Sequence, residues 1–180
     1  MQQDFDGALK FVLAAEGGYS DDPYDPGGAT NLGIEQTEYQ EWLRKQGLPV
    51  VPVTQITTAQ AGEIYRTSYW EPVHGDYLQG QVAYVMFDTG VNQGVGAAIE
   101  QLQRVLGVPV TSEFDNNTST AYHAFIAAHS GLELANGVLS RRVLRYRLLV
   151  SENPALGKFL DGWLNRVNSL RLLIEALPKS

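Results

Sequence analysis

Apolar residues recur at Phe5, Ala8, Leu9, Val12 and Leu13. This i, i+3, i+4, i+7, i+8 spacing marks one buried face of an amphipathic helix. The next position on that face, four after Val12, is Glu16, so the apolar stripe ends in a carboxylate. Gly17 and Gly18 follow and supply the open backbone that stops a helix. Further along, Tyr39, Trp42 and Leu43 give one side of a helix running from a Thr37 cap to about Gln46, with Gly47 closing it. Thr57-Thr-Ala-Gln60 reads as a capping box opening a helix lined by Ala61, Ile64, Tyr65 and Tyr69 and ending at Trp70. Gln81 to Asn92 is apolar on several faces and reads as a buried helix. Ala97–Leu106, about 118–129, 134–151 and 155–176 carry further helical patterns. The fold class expected is mainly α, with an irregular or short-β loop after the first helix.

The position of Glu16 has a chemical consequence. Partial burial and the negative end of a helix dipole both disfavour the ionised carboxylate, so its pKa is expected to rise. A protonated carboxyl beside a cleft is what general acid catalysis of glycoside cleavage requires. The commoner fate of a Glu at a helix end is simple exposure. Asp25 lies nine residues after Glu16, and Thr30 five after Asp25, in a segment rich in Asp, Pro and Gly that excludes a helix. A loop returning beside its own helix could set Asp25 opposite Glu16, with Thr30 orienting water. The alternative is that Asp21, Asp22 and Asp25 only shape turns. A calcium loop is disfavoured because the Asp-x-Asp-x-Asp-Gly spacing is absent.

Glu-Gly-Gly-Tyr at 16–19, Asp-Pro-Gly-Gly-Ala-Thr-Asn at 25–31 and Gly33-Ile34 resemble the N-terminal signature of glycoside hydrolase family 108, a group of lysozyme-like N-acetylmuramidases. The resemblance implies Glu16 as catalytic acid and a lysozyme-like two-lobed helical fold. The Glu–eight residues–Asp order is also similar to phage-type lysozymes, although here only four residues separate Asp25 from Thr30. Asp25 and Thr30 are thus the remaining catalytic candidates, with Glu71 a rival for the second carboxylate. Tyr69-Trp70 before Pro72, Asp88 before Val91-Asn92-Gln93-Gly94, and Phe159-x-x-Gly162-Trp163-x-x-Arg166 extend the likeness. Tyr19, Asn31, Tyr69, Trp70, Asp88 and Asn92 are the candidate substrate contacts. For the aromatics the alternative is core packing. For Asp88 and Asn92, four apart on one helix face, it is a hydrogen-bond network reaching the catalytic loop. Trp163 and Arg166 read as core and a buried ion-pair partner. Relatives carry a Gly-rich turn where this chain has Ser112 to Thr118. Residues 1–91 are expected to form the catalytic lobe and 92–180 a helical second lobe resembling a peptidoglycan-binding half, the two together making one unit.

Composition narrows the chemistry. With 180 residues, 44% of them hydrophobic, the chain is long enough for a substantial core. No cysteine is present, which excludes disulfides, thiolate metal sites and Cys–His proteases. His74, His123 and His129 form no zinc motif, and neither metal nor cofactor is expected. Net charge is −7, unevenly spread. Residues 1–135 hold five Lys and Arg against seventeen Asp and Glu, net −12, and residues 136–180 hold eight against three, net +5. The acidic front argues against nucleic acid as a partner. The basic C-terminal part is expected to pair its arginines with acidic groups of the front half; contact with an anionic wall polymer is the alternative.

No apolar run reaches the ~18 residues of a membrane span. The N-terminus has no secretory leader pattern. Together with the resemblance, this implies a monomeric enzyme made in the bacterial cytoplasm that acts on the cell wall. A phage endolysin released by a holin fits that picture, as does a secreted interbacterial effector that meets an inhibitor protein. The alternative activities are a lytic transglycosylase and a non-catalytic wall-binding or secretion-activating protein.

Overall fold

The structure, a computed structural model, describes residues 2–16, 20 and 29–178. It is a mainly α, lysozyme-like fold. Its helices are α1 (Gln2–Glu16), α2 (Gln36–Lys45), α3 (Thr58–Tyr65), α4 (Gly80–Gln93), α5 (Val95–Leu106), α6 (Asn116–Ala128), α7 (Gly131–Glu152) and α8 (Gly157–Ala176). Between α1 and α2 lies an antiparallel hairpin of β1 (Thr30–Asn31) and β2 (Ile34–Glu35), with Thr30 opposite Glu35 and Asn31 opposite Ile34. The chain packs as two compact units, residues 9–68 and residues 1–8 with 69–180.

Local chemistry explains most boundaries. The Thr57 side chain accepts from the Gln60 amide while the Gln60 side chain accepts from the Thr57 amide, closing the expected capping box on α3. The Asp115 and Ser130 side chains cap α6 and α7 by accepting from the Thr118 and Glu133 amides, which starts both helices earlier than their apolar periodicity alone suggests. Hydrogen bonds from Thr118 hold the Asp115 carboxyl below its ordinary pKa. Gly107 ends α5 in the left-handed region at φ 71°. After α3 the helix does not simply run on to Trp70. Arg66–Trp70 is a π-helical turn, a rare widening that nothing in the apolar spacing marks.

In the smaller unit, Val12, Ile34, Tyr39, Leu43, Val53, Ala61, Ile64 and Tyr65 are buried. The Asn31 amide donates to the Val53 carbonyl at 3.2 Å, and the Gln36 side chain accepts from the Val53 amide at 2.8 Å. Two side chains from the hairpin and α2 thus satisfy both backbone polar groups of Val53, which lies outside any ladder. In the larger unit every residue from Gln81 to Gly90 on α4 is buried, packed by α5, α7 and α8.

The segment after Gly107 is organised by one side chain. Gln103 is fully buried; its amide nitrogen donates to Thr111, Thr118 and the Glu113 carbonyl, and its oxygen accepts from the amides of Thr111 and Ser112. A saturated side-chain amide thus shapes this loop.

The expected pairing of C-terminal arginines with the acidic front half is met at one carboxylate. Arg142 and Arg166 both pair with Asp88. Arg141, Arg145 and Arg147 have no partner among the described residues.

Candidate active site

Helix α1 places Glu16. Phe5, Ala8 and Val12 are buried, Leu9 and Leu13 are half-buried, and Glu16 at the last helical position is half-buried too. The apolar stripe therefore hands over to a carboxylate at the helix terminus, as its periodicity indicates.

The hairpin sits directly against that carboxylate's stem. Leu32 and Gly33 occupy the two central turn positions at φ 53° and 76°, the double positive-φ signature of a type I′ turn. A Cβ on Gly33 would lie 2.8 Å from Glu16 Cβ, 2.9 Å from Glu16 Cγ and 2.3 Å from the Tyr65 hydroxyl. Gly33 is thus required twice, for its backbone angle and for the close approach of Glu16. The Tyr65 hydroxyl donates to the Leu32 carbonyl at 3.0 Å, which pins a turn whose leucine sits in a region side chains avoid. Gly33→Ala is expected to destabilise the chain by about 1–3 kcal/mol, the range for a side chain held in that region. Urea unfolding tests this; an unchanged midpoint would show that the turn accepts a Cβ beside the Glu16 stem.

Thr30 begins the hairpin and is clamped on its other side by Ser20. Ser20 donates its amide to the Thr30 carbonyl at 2.9 Å, and Thr30 returns the bond at 2.8 Å. The Thr30 side chain is half-buried and has no hydrogen-bond partner among the described residues. Asp25 and Tyr19 lie outside the described residues. Asp25 belongs to the stretch between Ser20 and Thr30, whose two ends this bridge joins. Asn31 is engaged with the Val53 carbonyl, as described above.

Glu38 on α2 lines a cleft of about 440 Å³ with Glu41, Trp42, Lys45 and Thr67. Burial, then repulsion from Glu35 and Glu41, raises its pKa. A raised folded-state pKa means the folded chain binds the proton more tightly than the unfolded one. This stabilising contribution is present at low pH and lost as pH rises through the folded pKa. Glu38→Gln is therefore expected to raise the melting temperature at pH 7 and to change it little at pH 3–4. An unchanged melting temperature at pH 7 would contradict this.

The larger unit holds the other candidates. Trp70 is fully buried, edge-on to Phe5 at 5.3 Å and Phe87 at 5.5 Å, with its ring N–H donating to Asp76 at 3.0 Å. It fills the core and offers no free face for a sugar. Tyr69 beside it is half-exposed and Glu71 is exposed. Asp88 is 1% exposed. It accepts from Arg142 at 2.5 Å and from two nitrogens of Arg166 at 3.0 and 2.7 Å. Arg142 also donates to the Tyr146 hydroxyl, which donates to Asn92. Asp88 and Asn92 do share a face, but among the described residues their network ties α4 to α7 and α8. Trp163 stacks on Tyr146 at 4.8 Å. The sequence had flagged Arg166 as a buried ion-pair residue; Arg142 and Tyr146, buried in the middle of an arginine-rich helix, it did not single out.

A carboxylate ending the apolar face of the first helix, with a glycine turn pressed on its stem, is a group that general acid cleavage of a glycoside could use. Residues 9–94, which include Glu16 and the hairpin, match the family described as Glycosyl hydrolase 108. Among solved structures, SagA of Brucella abortus matches with 30% identity and a TM-score of 0.77, over 98% of this chain and 96% of that one. No curated protein sequence matches. The chain belongs to the glycosyl hydrolase 108 family.

Proposed function

We propose that this glycoside hydrolase is an N-acetylmuramidase. Its substrate on this reading is the β-1,4 bond between N-acetylmuramic acid and N-acetylglucosamine in peptidoglycan. Glu16 gives its proton to the leaving glycosidic oxygen as the C–O bond breaks. Asp25 acts on the opposite side of the sugar, and the Thr30 hydroxyl orients the water that attacks the anomeric carbon. The observation that carries the reading is the packing of the Glu16 stem on Gly33, which fixes a half-buried carboxylate at the end of a helix. Its family membership supplies the polysaccharide class. A role as a phage or prophage endolysin, reaching the wall through a holin, is part of the same proposal and rests on the motif likeness.

The test is digestion of purified sacculi followed by mass spectrometry of the fragments. Reducing muramic acid ends are expected. Anhydro-muramic ends would replace hydrolysis by transglycosylation, and intact sacculi would remove the activity.

A further inference from the structure

Helix α7 carries a face that the proposed hydrolysis does not use. Leu144 and Leu148, one turn apart, are 55% and 58% exposed. Leu144 stands between two grooves. One, of about 290 Å³, runs towards α5 and is lined by Arg104, Arg141 and Arg145. The other, of about 440 Å³, runs towards α8 and is lined by Arg147, Arg171 and Leu164. An apolar ridge is thus flanked by cations on both sides.

These cations are largely uncommitted. Arg141, Arg145 and Arg147 have no partner among the described residues. Among the described residues Arg171 bonds to the neutral side chains of Asn136 and Asn168. Glu100, the acid lining the first groove, is already engaged by the Ser112 hydroxyl at 2.7 Å and lies 3.9 Å from Arg104.

We propose that this face of α7 docks on an anionic phospholipid surface, with Leu144 and Leu148 entering the headgroup boundary and the arginines meeting lipid phosphates. The arrangement is that of an interfacial helix: apolar side chains at the centre, long cationic side chains at the margins that can lie flat and reach phosphate. Charge complementarity selects an anionic partner. The protruding leucines favour a deformable lipid boundary over a wholly hydrophilic polymer. A chain of net charge −7 is otherwise repelled by such a surface, so attachment requires a localised basic patch.

The test is co-sedimentation of the intact protein with vesicles of 70% phosphatidylcholine and 30% phosphatidylglycerol at low salt. Binding is expected, with little to pure phosphatidylcholine vesicles. Arg141→Glu combined with Arg147→Glu, both at exposed positions, should weaken it at least tenfold. Leu144→Ser with Leu148→Ser should weaken it severalfold, with helical circular dichroism unchanged in both variants. No binding to the anionic vesicles overturns the proposal, as does binding that either double variant leaves intact. Binding to lipid-free sacculi that the arginine variant abolishes, without vesicle binding, would assign the face to a wall polymer and also overturn it. None of these readouts depends on turnover of peptidoglycan.

Discussion

Replacing Glu16 by Gln is expected to lower sacculus digestion by about 10²–10⁴-fold, the range a positioned general acid contributes. Gln keeps the Cβ and Cγ that pack on Gly33 and removes only the transferable proton. The melting temperature should therefore stay within a few degrees of the parent. Glu16→Asp keeps the proton but draws it back by one methylene. It should retain more activity than the Gln variant yet far less than the parent, since misplacing a catalytic group by about 1 Å is enough to cost about 10²-fold. Gly33→Ala gives the complementary perturbation, disturbing the geometry around an unchanged carboxyl. Substantial digestion by a folded Glu16→Gln protein would remove the proposed mechanism, while leaving the family assignment untouched.

Replacing Asp88 by Ala should unfold the larger unit far more readily than any change at the proposed site. Asp88 is the shared counter-charge of two guanidinium groups, one fully buried and one 12% exposed. Without it, Arg142 keeps the Tyr146 and Thr89 hydroxyls, and its remaining terminal nitrogen is buried with no partner among the described residues. Breaking a buried pair by deleting one member costs about 3–5 kcal/mol, because the partner's charge stays buried. For a chain of this length that is a fall of roughly 6–20 °C in melting temperature. Adding Arg142→Met to Asp88→Ala should restore much of the loss by removing the orphaned charge. A melting temperature unchanged by Asp88→Ala, read by calorimetry, would show that the two ion pairs contribute nothing to stability.

The two perturbations differ in how far their cause could be read from the residues in order. That Glu16 ends an apolar stripe follows from counting along one helix. That Asp88 and Asn92 share a face also follows from counting. Which groups they meet does not. Arg142 lies 54 residues from Asp88 and Arg166 lies 78, and nothing in the intervening chain encodes that one carboxylate will serve both. Asn31 shows the same limit. Its place in the motif points to substrate, while the fold engages it with a backbone carbonyl 22 residues away. Trp70 was legible as an aromatic at a helix end, but its complete burial depends on Phe5 and Phe87, brought in from two other helices.

By itself, then, the sequence determined the helical class, the capping box that opens α3, the glycine that closes α5, and a carboxylate at the head of a Gly-rich loop. Caps and periodicities act over three to four residues, within reach of local backbone energetics. The tertiary structure alone decided that Gly33 would press on Glu16 with Tyr65 holding the turn, that α3 would widen into a π turn, and that three arginines of α7 would be left without carboxylates. Those outcomes depend on which distant surfaces meet, and close packing between segments far apart in the chain chooses them.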